Sequence, residues 1–213
     1  MNLLRYYKDD GSLVEVSLAE VEAWLLDPNK KNELADFIFS RLYYRYIKPF
    51  EFRSKSVIKN KTSGKNVNEY SLLYKNGFSV MANCCLLIET LETFLRGWEN
   101  SSNKSEAAFL KFFSRDKNFK EFAVDDMPTI FYKSIRCGIL HQGETTNGWR
   151  ITRDERKLIL DTNSKEINAS KFLGQLKQSI TDYKDELLKA DWNDEIWKMA
   201  RNKLKSIVKI SKS

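Results

Sequence analysis

Glu69 to Trp98 reads EYSLLYKNGFSVMANCCLLIETLETFLRGW, and apolar residues recur in it at 81, 84, 88, 91, 95 and 98. That i, i+3, i+4 recurrence lays one apolar stripe along a helix face, whereas a half-buried strand would alternate at every second residue. A long helix at the hydrophobic centre is therefore expected. Its most apolar stretch, Phe78 to Ile88, contains Asn83 and is shorter than the roughly 18 to 20 residues that cross a bilayer, so a buried helix is expected and no membrane span.

Working outward, Ser105 to Phe113 predicts another short helix. Asp125-Asp126-Met127-Pro128 reads as a helix start, because proline fits a first turn where its missing amide donor costs nothing. This helix should reach His141 or Gln142 and stop at Gly143. On the N-terminal side, the first 16 residues alternate around Lys8-Asp9-Asp10-Gly11 and predict a hairpin. Ser17 and Glu20 match a capping box that opens a helix to about Leu26, and a stronger helix spans Asn32 to Ile47, before Pro49. Residues 53 to 68 carry Arg53, Lys55, Lys59, Lys61 and Lys65 without an acid, the composition of a mobile basic loop and an internal joint. Trp149 to Thr152 and Lys157 to Asp161 resemble a second hairpin across Arg153-Asp154-Glu155-Arg156. Two amphipathic helices, Asn168 to Lys189 and Asp194 to Ile210, complete the chain.

Long helical periods outnumber strand candidates, so the expected fold is mainly α, a helical bundle with one or two small β-hairpins. We divide it into an N-terminal hairpin with helices (1–52), the basic loop (53–68), a helical core (69–145), and a hairpin with two C-terminal helices packed on that core (146–213), as one unit.

Composition narrows the chemistry. The 213 residues include 36 Lys+Arg against 29 Asp+Glu, for a net charge of +7, and 42% are hydrophobic, which argues against a fully disordered chain. Three cysteines, two of them adjacent at Cys84 and Cys85, offer neither a disulfide framework nor paired C-x-x-C spacing. His141 is the only histidine, so His-Glu-x-x-His and His-rich metal centres are excluded within one chain. Phosphate-cradling glycine motifs are also absent. No metal or cofactor is expected. The start, MNLLRYYKDDGS, has no long apolar run or small-residue cleavage site, so a cytoplasmic protein is expected.

The remaining signal is Ser134-Ile135-Arg136-Cys137-Gly138-Ile139-Leu140-His141-Gln142-Gly143, where an arginine precedes the sole histidine by five residues near a helix end. Arginine offers a permanently charged planar fork to phosphate oxygens, and histidine gives or takes a proton near neutral pH. Together they suit phosphodiester cleavage. On an ideal α-helix a five-residue step rotates about 140°, so a cleft or an unwound helix end must bring the two together. Transesterification profits from both a base and an acid, and one histidine per chain therefore points to a site shared across a symmetric homodimer.

With the preceding apolar helix and its Leu87-Ile88-Glu89-Thr90-Leu91-Glu92, this segment resembles the HEPN superfamily over roughly residues 69 to 145. The family's R-x4-6-H motif maps onto Arg136 and His141. The resemblance implies a metal-independent endoribonuclease in which the 2′-hydroxyl of single-stranded RNA attacks the adjacent phosphate. It further implies a role in bacterial defence or as a toxin, with a protein partner or antitoxin. Active members often carry a polar residue directly after the arginine, where this chain has Cys137 and then Gly138. The alternative is a non-catalytic HEPN-like RNA- or protein-binding module, with His141 stabilising a helix C-terminus and Arg136 bridging to Glu89 or Glu92, the supporting acids of the adjoining helix.

Basic residues mark candidate RNA contacts. Arg41, Arg45, Arg53 and Lys55 interleave with Tyr43, Tyr44, Tyr46, Phe50 and Phe52, and Lys59 and Lys61 follow. Charge with stacking surface suits single-stranded RNA, although helix aromatics commonly pack inward. After Glu195 come Lys198, Arg201, Lys203, Lys205, Lys209 and Lys212 without an acid, a pattern that serves equally as a solvated helix face or as a polyanion contact. No exposed Trp/Phe/Leu face accompanies them, so a membrane-surface role is not favoured.

Overall fold

The computed structural model describes residues 1–51, 57–59, 62–68 and 76–212, with strand pairing alone given for 57–59 and 66–68. Strands β1 (Asn2–Tyr7) and β2 (Leu13–Ser17) form the N-terminal hairpin, which buries Leu3, Leu4 and Val16. Ser17 then caps α1 (Leu18–Trp24). Its hydroxyl accepts the Glu20 amide at 3.2 Å while the Glu20 carboxylate accepts the Ser17 amide at 2.8 Å, which satisfies two donors of the open first turn. Helix α2 (Lys31–Leu42) runs into a π-helical turn over Tyr43–Ile47, so the helix expected through Ile47 changes pitch at Tyr43. Strands β3 (Val57–Lys59) and β4 (Asn66–Asn68) pair antiparallel inside the segment whose composition marks a loop. The β-branched Val57, Ile58 and Val67 favour that pairing despite the flanking lysines.

The apolar stripe becomes α3 (Gly77–Arg96); the expected start near Glu69 lies outside the described residues. After it come α4 (Ser105–Arg115), a 3₁₀ segment over Lys117–Phe122, and α5 (Met127–Ile130), which passes without a break into a π-helical segment over Phe131–Gln142. Strands β5 (Arg150–Thr152), β6 (Leu160–Asp161) and β7 (Glu166–Asn168) form a small sheet, followed by α6 (Ala169–Lys189) and α7 (Glu195–Lys212). The expected hairpin between Trp149–Thr152 and Lys157–Asp161 is corrected here. The sheet order is β5-β7-β6, with β5 parallel to β7 and β6 antiparallel to it. Asp154 holds the would-be turn in a local cluster, accepting from the Arg156 amide at 3.0 Å and its guanidinium at 2.6 Å. The strand that completes the sheet, Glu166-Ile167-Asn168, inserts the fully buried Ile167 between the other two.

Helix α3 is the centre, packed by α4, α6, α7 and the π-helical segment. Met81, Cys84, Ile88 and Leu91 are buried as the stripe predicts, but so are Cys85, Leu87, Glu89 and Glu92. Burial thus covers most of the circumference, not one face. By length and composition α3 could cross a bilayer, and here its apolar length is spent on neighbouring helices of the same chain. It ends at Gly97 with φ 61°, a left-handed stop that favours glycine, and a Cβ there would stand 3.2 Å from the Met199 Cα, so the glycine also eases the close approach of α7.

Phe109, Phe112, Phe113, Phe119, Phe122, Phe131 and Phe172 form one buried aromatic cluster beside α3. Phe131 opens the π-helical segment, its ring 5.2 Å from Phe172 and 5.0 Å from Phe113. Each such ring contributes roughly 1.5–3 kcal/mol by burial. The start of the π-helical segment is therefore pinned to the core, and its other end reaches the surface at the exposed His141 and Gln142.

Candidate functional site

The π-helical pitch solves the problem that the five-residue spacing poses. With i→i+5 closure the residue at i+5 comes to lie one turn above residue i, instead of well round the helix as in an α-helix. Arg136 and His141 stand in that relation, and the Arg136 Nη1 to His141 Nε2 distance is 3.0 Å. No unwound helix end is needed. Tyr132 and Cys137 are spaced in the same way, and the Tyr132 hydroxyl interacts with Cys137 and with Ser105 of α4.

Glu89 of α3 anchors the arginine. Its Oε1 accepts from Arg136 Nε at 2.9 Å and lies 2.8 Å from Nη2, with the two side chains only 15% and 10% exposed. The Ser105 hydroxyl donates to the same oxygen at 2.7 Å, and the Ser101 hydroxyl donates to Oε2 at 2.8 Å. A buried carboxylate with this donor set meets the requirement that buried charge be both paired and hydrogen-bonded. Burial would lower the Arg136 pKa, but the Glu89 carboxylate more than offsets it and holds the guanidinium above its ordinary value. The Tyr132 ring lies under the cation, with its centroid 5.7 Å away. Burial, and then Cys137, push the Tyr132 hydroxyl up.

The surface end of the segment is held by the chain that follows it. Gly143, at φ 72°, ends the segment, and residues 144–147 fold back along it. The Thr146 amide donates to Ser134 O at 3.0 Å, and Asn147 Nδ2 donates to Ser134 Oγ at 2.9 Å. Gly138 is what permits this return, because a Cβ there would stand 2.4 Å from Glu144 O.

Of the two supporting acids, only Glu89 meets the Arg136–His141 pair. Glu92, three residues on, is fully buried and meets a different set of partners, with Arg96 Nε at 3.3 Å and Arg115 Nη2 at 3.0 Å. Its Oε1 has that ion pair but no aligned hydrogen bond, and burial raises its pKa despite both arginines. Spacing alone could not separate the two acids, since both recur near the apolar stripe. Ser101, Ser105 and Tyr132 were missed. The first two lie in a connecting segment and the first turn of α4, and only tertiary packing carries them to Glu89.

The candidate RNA contacts divide. Arg41 donates to the Leu3 carbonyl and lies over the Phe37 ring, and burial beside Arg45 lowers its pKa to about 10. It serves the packing of the hairpin on α2. Arg45 is exposed. Lys59 belongs to β3, while Arg53, Lys55 and Lys61 lie outside the described residues. The interleaved tyrosines are engaged internally: Tyr44 stacks on Tyr6 at 3.7 Å, Tyr43 donates to Glu51 at 2.6 Å, and Tyr46 bonds Thr90 at 3.2 Å. Along α7, Arg201 donates to Trp192 O at 2.5 Å, Lys203 to Glu99 O at 2.8 Å, and Lys212 pairs with Glu22 at 2.5 Å. Lys205 and Lys209 are exposed.

Among the described residues no group of three or more His, Cys, Asp or Glu side chains is placed to hold a metal ion. No family model matches the chain, and neither a curated protein nor a solved structure matches it.

Proposed function

We propose that this chain is a HEPN-like, metal-independent endoribonuclease that cleaves single-stranded RNA as a homodimer. The observation that carries the reading is the 3.0 Å contact between Arg136 and the sole histidine at a partly exposed helix end, with the arginine anchored from below by Glu89. A purely structural Arg–Glu bridge does not require a histidine on the free end of the guanidinium. In the proposed reaction the 2′-hydroxyl loses its proton to an imidazole, and the new O2′–P bond forms as the P–O5′ bond breaks. The leaving 5′-oxygen takes a proton from the second copy's imidazole. The products are a 2′,3′-cyclic phosphate and a 5′-hydroxyl end, and Arg136 offsets charge on the phosphate oxygens. Use in bacterial defence or as a toxin, with an antitoxin or other protein partner, belongs to the same proposal.

Purified protein is expected to cleave single-stranded RNA in EDTA and to leave DNA intact, since DNA lacks the attacking hydroxyl. His141→Ala should slow cleavage by about 10²- to 10⁴-fold. Because His141 is exposed, its removal should change stability by no more than about 0.5 kcal/mol. Intact RNA after incubation with wild-type protein, across varied sequences, would favour the non-catalytic binding module instead.

A further inference from the structure

We infer that the resting site is a closed pair, in which Arg136 occupies the nitrogen that His141 needs as a base, and that an RNA phosphate opens it. This rests on the ribonuclease reading and adds a gate to it. Arginine has only donors, so its 3.0 Å contact makes His141 Nε2 the acceptor. The imidazole is then neutral with its proton on Nδ1, and its one lone pair is already engaged. A protonated Nε2 would set donor against donor at the same distance. The rest of the guanidinium is committed elsewhere, because Nε and Nη2 are held by Glu89, which is itself fixed by Ser101 and Ser105. Nη1 is the arm that meets the neutral imidazole ring, and the neighbouring Cys137 thiol also interacts with the guanidinium.

A phosphate oxygen competes for that arm with an advantage. Charge-assisted hydrogen bonds are roughly twice as strong as neutral ones, and the anion gains the cation's full charge. As Nη1 turns to the phosphate, the Nε2 lone pair is released beside the group whose 2′-hydroxyl must be deprotonated. The base therefore becomes available only when a phosphodiester is in place, and Glu89 acts as a positioning residue that keeps the guanidinium within reach of both partners.

The single histidine makes the test direct, because imidazole ¹⁵N NMR of the full chain reports one ring. In free protein the expected state is a protonated Nδ1 and an unprotonated Nε2. Adding a 2′-O-methyl RNA oligonucleotide, which cannot be cleaved, should shift the Nε2 resonance in proportion to binding measured by anisotropy. Inorganic phosphate should do the same at higher concentration. In Arg136→Met the Nε2–H tautomer should appear without any ligand; if that variant does not fold, the wild-type titration decides alone. A protonated Nε2 in the free wild type, or an Nε2 resonance unmoved at saturation, overturns the gate. If RNA is still cleaved under those conditions, the ribonuclease reading survives the loss of the gate. An oligonucleotide that does not bind, together with uncut RNA, overturns both.

Discussion

Glu89 and Glu92 are separated by less than one turn of α3, carry the same carboxylate, and each faces arginine, yet they sit in two different kinds of cluster. Glu92 is fully buried, and its partners Arg96 and Arg115 are 36% and 37% exposed. Its cost of desolvation is incompletely met, as the raised pKa records. That cluster ties α3 to α4. Glu89 receives two serine hydroxyls and a guanidinium whose remaining arm reaches the exposed His141. The same pairing is thus a clasp in one place and, in the other, a support for an arginine that reaches an exposed histidine. What separates them is the group beyond the arginine.

Arg136→Ala should break the Glu89 cluster most severely. It removes the phosphate fork and leaves a buried carboxylate with only two hydroxyl donors, so loss of cleavage should accompany destabilisation of about 3–5 kcal/mol, read by urea unfolding. Arg115→Ala offers the control: Glu92 keeps Arg96, and cleavage per folded molecule should be unchanged. Equal loss of activity in the two variants would erase the distinction between the clusters.

A smaller effect is expected from Gly138→Ala. The added Cβ meets Glu144 O at 2.4 Å, and the backbone must shift, at about 1–3 kcal/mol as in other overpacked sites. Because the shift lies between Arg136 and His141, cleavage should fall more than the stability change alone explains. Gly174→Ala, where a Cβ meets nothing within 4 Å in the second turn of α6, should stabilise by about 0.5–1 kcal/mol with no effect on cleavage.

The smallest effect concerns pH. Glu92 has its pKa raised in the folded chain by burial, with Arg115 and Arg96 opposing. The folded state therefore favours the protonated form, and this stabilisation is complete below the ordinary carboxylate value and lost as pH rises through the raised one. Glu92→Gln should flatten that part of the pH–stability profile and leave cleavage alone. An unchanged profile would mean that Glu92 does not titrate differently on folding.

Much of the fold was legible because its signals are local. The Ser17–Glu20 box, the αL stop at Gly143, the first hairpin and the stripe of α3 each depend on a few neighbouring residues. The sheet was misread because its middle strand is only three residues long and β5 pairs with it in parallel, a partnership that no turn signal announces. The π-helical pitch over Phe131–Gln142 was equally hidden, since residue spacing does not reveal which closure the backbone adopts.

The candidate site divides along the same line. Sequence alone determined that any histidine chemistry must use His141 and that Arg136 lies five residues before it, because those are matters of composition and order. Tertiary structure decided that the two meet, that Glu89 and not Glu92 holds the arginine, and that Ser101, Ser105 and Tyr132 complete the surroundings. The physical reason is that a buried charge must find donors wherever packing brings them, and the donors to Glu89 of α3 come from α4, the segment that precedes it and the π-helical segment, up to 47 residues along the chain.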